Sequence, residues 1–180
     1  MLGGGKFANG ATTAAMGYLF NHCDHVEGGC WKAFKENFAM AVDWATGQGS
    51  SHRVFSPGSI QVIDMMDAPG VNAAREYYYR KYPSVDPSGS VTNYRSSFGV
   101  TGLFDNDGFL QSVSPTRQFI GSYSVDIHSV NDGKDLMFVL NNNSSFKSFG
   151  YGVAPAWERS TFGPAGNMRQ TYWWTEPRKP

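Results

Sequence analysis

The chain has 180 residues, with 15 Lys+Arg against 15 Asp+Glu, so its formal net charge is zero. This balance excludes the strongly basic composition that by itself indicates a nucleic-acid-binding protein. Aromatic residues make up 15% of the chain and charged residues only 17%, which excludes a disordered protein. The two cysteines are too few for a disulfide scaffold. We therefore expect a folded domain that is rich in loops and contains a sheet.

The chain divides into a lead-in, residues 1–30, and a single domain, residues 31–180. Glycines bracket the lead-in, and Asn9–Asn21 has the pattern of a short helix within it. No apolar run approaches the roughly 18 residues that a membrane-spanning helix needs, so we expect no stable membrane span. The N-terminus lacks the long apolar core of a signal peptide. We therefore expect either a cytosolic protein or the tail of something larger.

Three helices are predicted in the first half of the domain. Apolar residues recur at spacings of three and four in Trp31–Ala45, which is typical of an amphipathic helix. A short helix is expected over Ile60–Met66. Pro69 suits the first turn of a third helix, which runs to about Tyr82. A loop then extends from Pro83 to Ser90.

The hydrophobic period changes to two in the second half. In residues 118–130, Tyr123, Val125 and Ile127 alternate with polar residues that include Asp126 and His128. The sequence Asn-Asp-Gly at 131–133 predicts a hairpin turn. Further strands are expected over Leu136–Leu140, Phe146–Tyr151 and Met168–Glu176. The sequence thus predicts an α+β fold in which N-terminal helices precede a C-terminal antiparallel sheet.

Several strings in the sequence resemble a known family. Gly3–Asn21 (GGGKFANGATTAAMGYLFN), about a tenth of the chain, resembles a lead-in found in the C-terminal region of RHS-type (YD-repeat) polymorphic toxins. Segments similar to RHS and filamentous-haemagglutinin-like proteins are Asp67–Val71, Phe119–Tyr123, Ser145–Ser148 and Trp157–Pro164. The resemblance implies a secreted antibacterial toxin tip, delivered into a target cell. It also implies an RHS cage and secretion machinery as its parent, and a cognate immunity protein. It implies no particular reaction.

Polar residues of the predicted sheet suit metal-independent cleavage of RNA. A Glu or His takes the proton of the 2′-hydroxyl, a His returns one to the leaving oxygen, and Arg or Lys holds the charge that develops. Helices followed by an antiparallel sheet also resemble the architecture of many toxin ribonucleases. The candidate catalytic residues are His128, Glu158, Arg159 and Lys147, and the candidate binding residues are Ser148, Tyr151, Gln170 and Tyr172.

Charge and metal ligands bear on this hypothesis. Zero net charge opposes binding to a polyanion. Residues 134–180, however, hold six basic and three acidic residues, a local balance of +3.

Cys23 and Cys30 lie near two histidines, but no second pair of cysteines completes a zinc site. We expect no metal and no cofactor. The competing interpretation is structural: His128 is then an ordinary solvent-facing residue, and Glu158 and Arg159 form a surface pair.

Two non-enzymatic functions remain open. A membrane-depolarising toxin would insert the lead-in helix together with Trp31, Phe34 and Phe38. A binding module would present Tyr172, Trp173 and Trp174 as a platform for a glycan or a protein partner. Toxicity of the isolated chain, with RNA integrity and membrane potential as readouts, distinguishes these functions.

Overall fold

A computed structural model describes residues 29–96, 116, 120, 123–144 and 166–179, and the fold of this part is α+β. It contains three α-helices, mostly N-terminal, and one five-stranded sheet, mostly C-terminal. The helices are α1 (Gly29–Thr46), α2 (Ile60–Met66) and α3 (Pro69–Lys81). The strands are β1 (His52–Phe55), β2 (Ser90–Ser96), β3 (Tyr123–Val130), β4 (Asp135–Ser144) and β5 (Met168–Pro177).

The two short helices begin where their sequences predict. Ser59 caps α2, because its hydroxyl accepts a hydrogen bond from the backbone N–H of Val62 at 3.4 Å. Pro69 starts α3 at a position where a missing N–H costs nothing. Arg80 and Lys81 lie in its last turn, where positive charge interacts favourably with the helix dipole. The predicted bounds of both helices are confirmed.

Helix α1 forms where predicted, but two residues of its expected apolar face are exposed. Phe38 is 46% exposed and Val42 is 42% exposed, whereas Met40 is buried. Among the described elements, α1 packs against α2, and Glu36 accepts a hydrogen bond from the buried amide of Gln61 at 2.6 Å. Asp43 of α1 also forms an ion pair with Arg53 on β1, so polar contacts help to hold the helix. The spacing of its apolar residues alone therefore does not identify the buried side. The lead-in helix expected before Gly29 lies outside the described residues.

The sheet has the strand order β1-β5-β4-β3-β2. Strands β3 and β4 form the predicted antiparallel hairpin, in which Val125 pairs with Leu140 and Ile127 with Phe138. The strand predicted over 118–130 is too long at its start, since β3 begins at Tyr123 and Ile120 is helical. Asn131, Asp132 and Gly133 in its turn have φ angles of 52°, 55° and 85°, which these three residue types tolerate better than others. Strand β5 then pairs antiparallel with β4. The strand predicted over 146–151 lies outside the described residues.

Two strands were not expected from the sequence. Strand β1 pairs parallel with β5, so the sheet is mixed where a purely antiparallel one was predicted. Strand β2 pairs antiparallel with β3 and contains a bulge between Val91 and Tyr94, where Asn93 has a φ of 56°. Both strands are short or interrupted, and both lie at the edges of the sheet. Both have a weak pattern of alternating hydrophobicity. Their extended conformation depends on pairing with strands that are distant in the sequence.

The hydrophobic core lies between α2, α3 and one face of the sheet, here called the inner face. Val125 and Ile127 on β3 are fully buried, as predicted. The Phe138 and Trp174 rings stack at 5.0 Å with an interplanar angle of 5°. The helices contribute the buried residues Val62, Met65, Ala68, Val71, Ala74 and Tyr78. The alternate residues of each strand therefore point away from the helices, onto what is here called the outer face.

Candidate functional site

The outer face carries most of the polar strand residues. On β3, Asp126 and His128 lie on this face and are half-buried. On β5, Arg169 and Thr175 are exposed on it, while the alternate residues are buried. The register brings outer-face residues of neighbouring strands into three rows: Ser124, Asn141 and Thr171; Asp126, Val139 and Trp173; and His128, Met137 and Thr175.

A line of hydrogen bonds crosses all five strands on this face. His52 on β1 lies 3.1 Å from the hydroxyl of Thr171, measured from Nε2 to Oγ1. Thr171 donates to Oδ1 of Asn141 at 3.0 Å. Nδ2 of Asn141 lies 3.5 Å from Oδ2 of Asp126, and the backbone N–H of Asn93 donates to Oδ1 of Asp126 at 2.6 Å. The line therefore starts at an imidazole on one edge strand and ends at a carboxylate held by the other.

The carboxylate of Asp126 is oriented but retains capacity to accept. An ionised carboxylate has about four lone-pair positions on its two oxygens. Asn93 and Asn141 occupy one position on each oxygen. The bulge in β2 makes the contact with Asn93 possible, because its left-handed backbone turns the N–H towards β3. Asp126 is thus fixed in place while it remains able to accept a hydrogen bond from a ligand.

Three ionisable groups are close together around this carboxylate. Asp126 and His128 are two residues apart on one strand face, so their Cα atoms are about 6.8 Å apart. Arg95 on β2 is exposed and pairs with Ser124, which makes it a diagonal neighbour of Asp126 at about 7–8 Å. The arrangement places an acceptor, a group that can carry a proton and a fixed positive charge on one accessible surface.

The predicted site residues do not all lie on this face. His128 lies on the outer face, whereas Gln170 and Tyr172 are fully buried on the inner face. These two candidate binding residues therefore do not share a face with His128, because the alternation of β5 turns even-numbered residues inward. Glu158, Arg159, Lys147, Ser148 and Tyr151 lie outside the described residues.

Gln170 and Tyr172 are in contact with each other inside the protein. The hydroxyl of Tyr172 donates to Oε1 of Gln170 at 3.1 Å, and Nδ2 of Asn142 donates to the same oxygen at 2.9 Å. Phe55 stacks on Tyr172 with ring centroids 4.7 Å apart. Burial raises the pKa of the Tyr172 hydroxyl, which keeps it protonated as a donor. These contacts link β1, β4 and β5 and leave both side chains away from the surface.

The aromatic triplet of β5 does not form a continuous platform. Tyr172 and Trp174 are buried in the core, and only Trp173 points to the outer face. The hypothesis of a binding module assigned all three rings to a platform for a glycan or a protein partner, and two of them are not on the surface. A strand exposes alternate side chains, so a single ring faces outward.

A cleft of about 520 Å³ near the start of α3 is a second candidate site. Arg75 is one of its lining residues. Its Nε and Nη2 already donate to Glu176 at 2.7 and 3.1 Å, and Nη2 also donates to the Met66 carbonyl at 3.0 Å. The same guanidinium lies 5.0 Å above the Phe138 ring centroid. Since its donors are satisfied by the protein, Arg75 acts as a structural clamp between α3 and β5.

Two further findings concern the whole described part of the chain. Within it, no three His, Cys, Asp or Glu side chains lie close enough together to hold a metal ion. No helix in the same residues is long and apolar enough to cross a membrane.

Sequence reasoning missed two members of the outer-face group. The alternation of β3 places Asp126 on the polar face beside His128, but Asp126 is not among the predicted site residues. Arg95 could not be predicted as a site residue, because strand β2, on which it lies, was not predicted.

No protein-family model, curated protein or solved structure matches this chain.

Proposed function

We propose that the chain is the exported toxic tip of an RHS-type polymorphic toxin, and that it cleaves RNA at the outer face of its sheet. The observation that carries the reaction is the placement of Asp126 and His128 on one accessible face, with Arg95 beside them. The toxin context rests on the resemblance of residues 3–21 and the later strings. It includes an RHS cage and secretion machinery as the parent, and a cognate immunity protein in the producing cell.

The reaction uses a nucleophile that RNA itself supplies. Asp126 takes the proton of a 2′-hydroxyl, and the 2′-oxygen attacks the adjacent phosphorus. His128, as imidazolium, gives a proton to the departing 5′-oxygen as the P–O5′ bond breaks. The products are a 2′,3′-cyclic phosphate and a 5′-hydroxyl. A separation of about 6.8 Å between the Cα atoms leaves room for a phosphate between the two side chains.

Arg95 supplies the electrostatic part of the mechanism. Negative charge accumulates on the non-bridging phosphate oxygens as the phosphorane forms, and a guanidinium stabilises it with a planar pair of donors. Arg95 is exposed and its diagonal position places it beside the proposed phosphate. Asp126, His128 and Arg95 thus fill the proposed roles of base, acid and phosphate ligand.

The test measures cleavage of a fluorogenic oligoribonucleotide by the purified chain in EDTA, with product mass identifying the cyclic phosphate. Asp126→Asn and His128→Ala should each lower kcat/KM by about 10²–10⁴, the range of general acid–base catalysis. Arg95→Ala should lower it by about 10²–10³. A substrate carrying a 2′-O-methyl group at the scissile position should resist cleavage, because it lacks the nucleophile.

Matched controls exist on α3. Glu76→Gln removes an exposed carboxylate and Arg80→Ala an exposed guanidinium, both on a helix that covers the opposite face. Both variants should retain full activity. Intact RNA after incubation with the wild-type chain, or full activity of Asp126→Asn, would refute the proposed reaction.

Membrane depolarisation is a second candidate, favoured by the exposed side chains of Phe38 and Val42 on α1. Apolar side chains on one helix can enter the headgroup region without spanning the bilayer. Dye release from anionic vesicles tests this candidate directly. Release that Phe38→Ser abolishes, together with intact RNA, would favour it over the ribonuclease.

A further inference from the structure

Two adjacent tryptophans of β5 have opposite environments. Trp174 is 1% exposed, stacks on Phe138, and its Nε1 lies 3.5 Å from Oε2 of Glu176. Trp173 is half-buried on the outer face, and its indole makes no hydrogen bond or ring contact with any other residue that the structure describes. Core packing therefore accounts for Trp174 but not for the presence of a large aromatic ring at position 173.

Trp173 is in the same row as the proposed base. It pairs with Val139, which in turn pairs with Asp126, so two strand spacings of about 4.8 Å separate Trp173 from Asp126. Strand β1 ends at Phe55, opposite Tyr172, one residue short of Trp173. Trp173 thus lies in the row of the proposed base and just beyond the C-terminal end of the edge strand β1.

We infer that Trp173 is a stacking platform for an unpaired base, and that the substrate is single-stranded RNA. This inference rests on the proposed function, since it assigns the substrate class of the same site. Every base has a flat π face, and stacking on an aromatic side chain contributes to binding without selecting a sequence. A ring about 10 Å from Asp126 positions a nucleotide so that its own or a neighbouring phosphate reaches the proposed catalytic pair.

The surroundings of Trp173 fit a single strand better than a duplex. In a duplex the faces of each base are covered by neighbouring bases, so a side chain on a flat sheet has no face to stack on. Val139 and Met137 beside the indole are apolar and half-buried, which suits a base more than a sugar or phosphate. Arg169 lies on the same face about 14 Å along β5, and Arg95 lies on the far side of Asp126. Positive charges thus flank the aromatic surface on both sides, as in other single-strand binders.

The test measures binding separately from cleavage. The probe is a fluorescently labelled oligouridylate of about 12 nucleotides with 2′-O-methyl groups throughout, which the proposed reaction cannot cleave. Fluorescence anisotropy with the full chain reports its affinity. Trp173→Ala should weaken binding by about 5- to 150-fold, and Trp173→Phe should retain most of the affinity because the ring remains. Annealing the probe to its complement should weaken binding to a similar extent.

Thr175→Ala is the matched control, two residues further along the same strand and face. It should bind as wild type. If Trp173→Ala also binds as wild type, or if the duplex binds as well as the single strand, the platform is refuted while RNA cleavage can still stand. If binding depends on Trp173 but the wild-type chain leaves cleavable RNA intact, the platform stands and the catalytic assignment fails. Failure of the wild-type chain to bind the single-stranded probe overturns the inference.

Discussion

The hydroxyl of Thr171 on β5 donates to Oδ1 of Asn141 on β4 over 3.0 Å. This bond determines which group is the donor in each hydrogen bond of the line from His52 to Asp126. A hydroxyl has one hydrogen, so Oγ1 of Thr171 acts as acceptor towards His52. His52 then carries a hydrogen on Nε2. Asn141, having accepted through its oxygen, presents its amide hydrogens to Asp126. Each group donates towards the carboxylate, which accepts from both sides.

Interrupting this line should slow the reaction modestly without removing it. Thr171→Val keeps the shape and the strand preference of the side chain but deletes the hydroxyl. Asn141 then loses the bond that orients it towards Asp126, so kcat should fall by about 2- to 10-fold, the equivalent of one hydrogen bond. KM should change little, because Thr171 acts through Asn141. Steady-state kinetics on the oligoribonucleotide provide both constants.

Thr175→Val is the control for that variant, since it makes the same replacement on the same strand and face. Its kcat should equal that of the wild type. An unchanged kcat in Thr171→Val would show that the line is only structural. A loss of 10²-fold or more would place Thr171 within the catalytic machinery.

The pair formed by Arg75 and Glu176 should stabilise the fold more than a surface ion pair does. Both side chains are largely covered, at 14% and 17% exposure, and Arg75 joins α3 to the end of β5. Arg75→Ala leaves a partly buried carboxylate without its partner and should reduce the free energy of unfolding by about 2–3 kcal/mol. Arg80→Ala on the exposed side of the same helix should change it by less than about 0.5 kcal/mol. Urea unfolding measures both, and equal losses would contradict the clamp.

The two tryptophans of β5 should differ sharply in their effect on stability. Trp174→Ala removes a fully buried ring that stacks on Phe138 and should cost about 3–5 kcal/mol. Trp173→Ala removes a half-buried outer-face ring and should cost about 1 kcal/mol or less. Thermal and urea unfolding of the two variants check this difference. A large loss in Trp173→Ala would mean that the ring is part of the fold.

Tyr172 should make the protein sensitive to alkaline pH. Burial raises the pKa of its hydroxyl in the folded state above the ordinary value of about 10. Between these two values the unfolded chain loses this proton while the folded chain keeps it, so stability falls as pH rises above about 10. Below about pH 10 the contribution is fully present.

The matched variant is Tyr172→Phe, which lacks the titrating group. It should cost about 1 kcal/mol near neutral pH, through the lost hydrogen bond to Gln170. Its free energy of unfolding should then decline less steeply than that of the wild type as the pH is raised to about 11. Urea unfolding at the two pH values measures the difference. Parallel declines would show that Tyr172 does not account for the alkaline sensitivity.

Several elements of this fold follow from local patterns in the amino-acid sequence. Alternation identified β3 and β5 and sorted their residues into two faces, because side chains of a strand alternate regardless of its partner. The turn at Asn131 predicts that β3 pairs with β4, since a tight turn places the two strands that it joins side by side and antiparallel. Pro69 marked the start of α3. The same alternation placed Asp126 and His128 together on a polar face.

The outer face of the sheet is completed by segments that are distant in the sequence, and their positions follow from the tertiary structure. Strand β1 pairs with β5 across more than a hundred residues of chain. The four residues of β1 are too few for their hydrophobic pattern to predict such a pairing. Strand β2 exists through its pairing with β3, and only its bulge brings the N–H of Asn93 to Asp126 and places Arg95 nearby. Gln170 and Tyr172 are buried because they lie on the inner face of β5, which the helices cover. A pattern in the sequence tells which residues share a face, but the packing of helices and strands determines which face is covered and which meets a substrate.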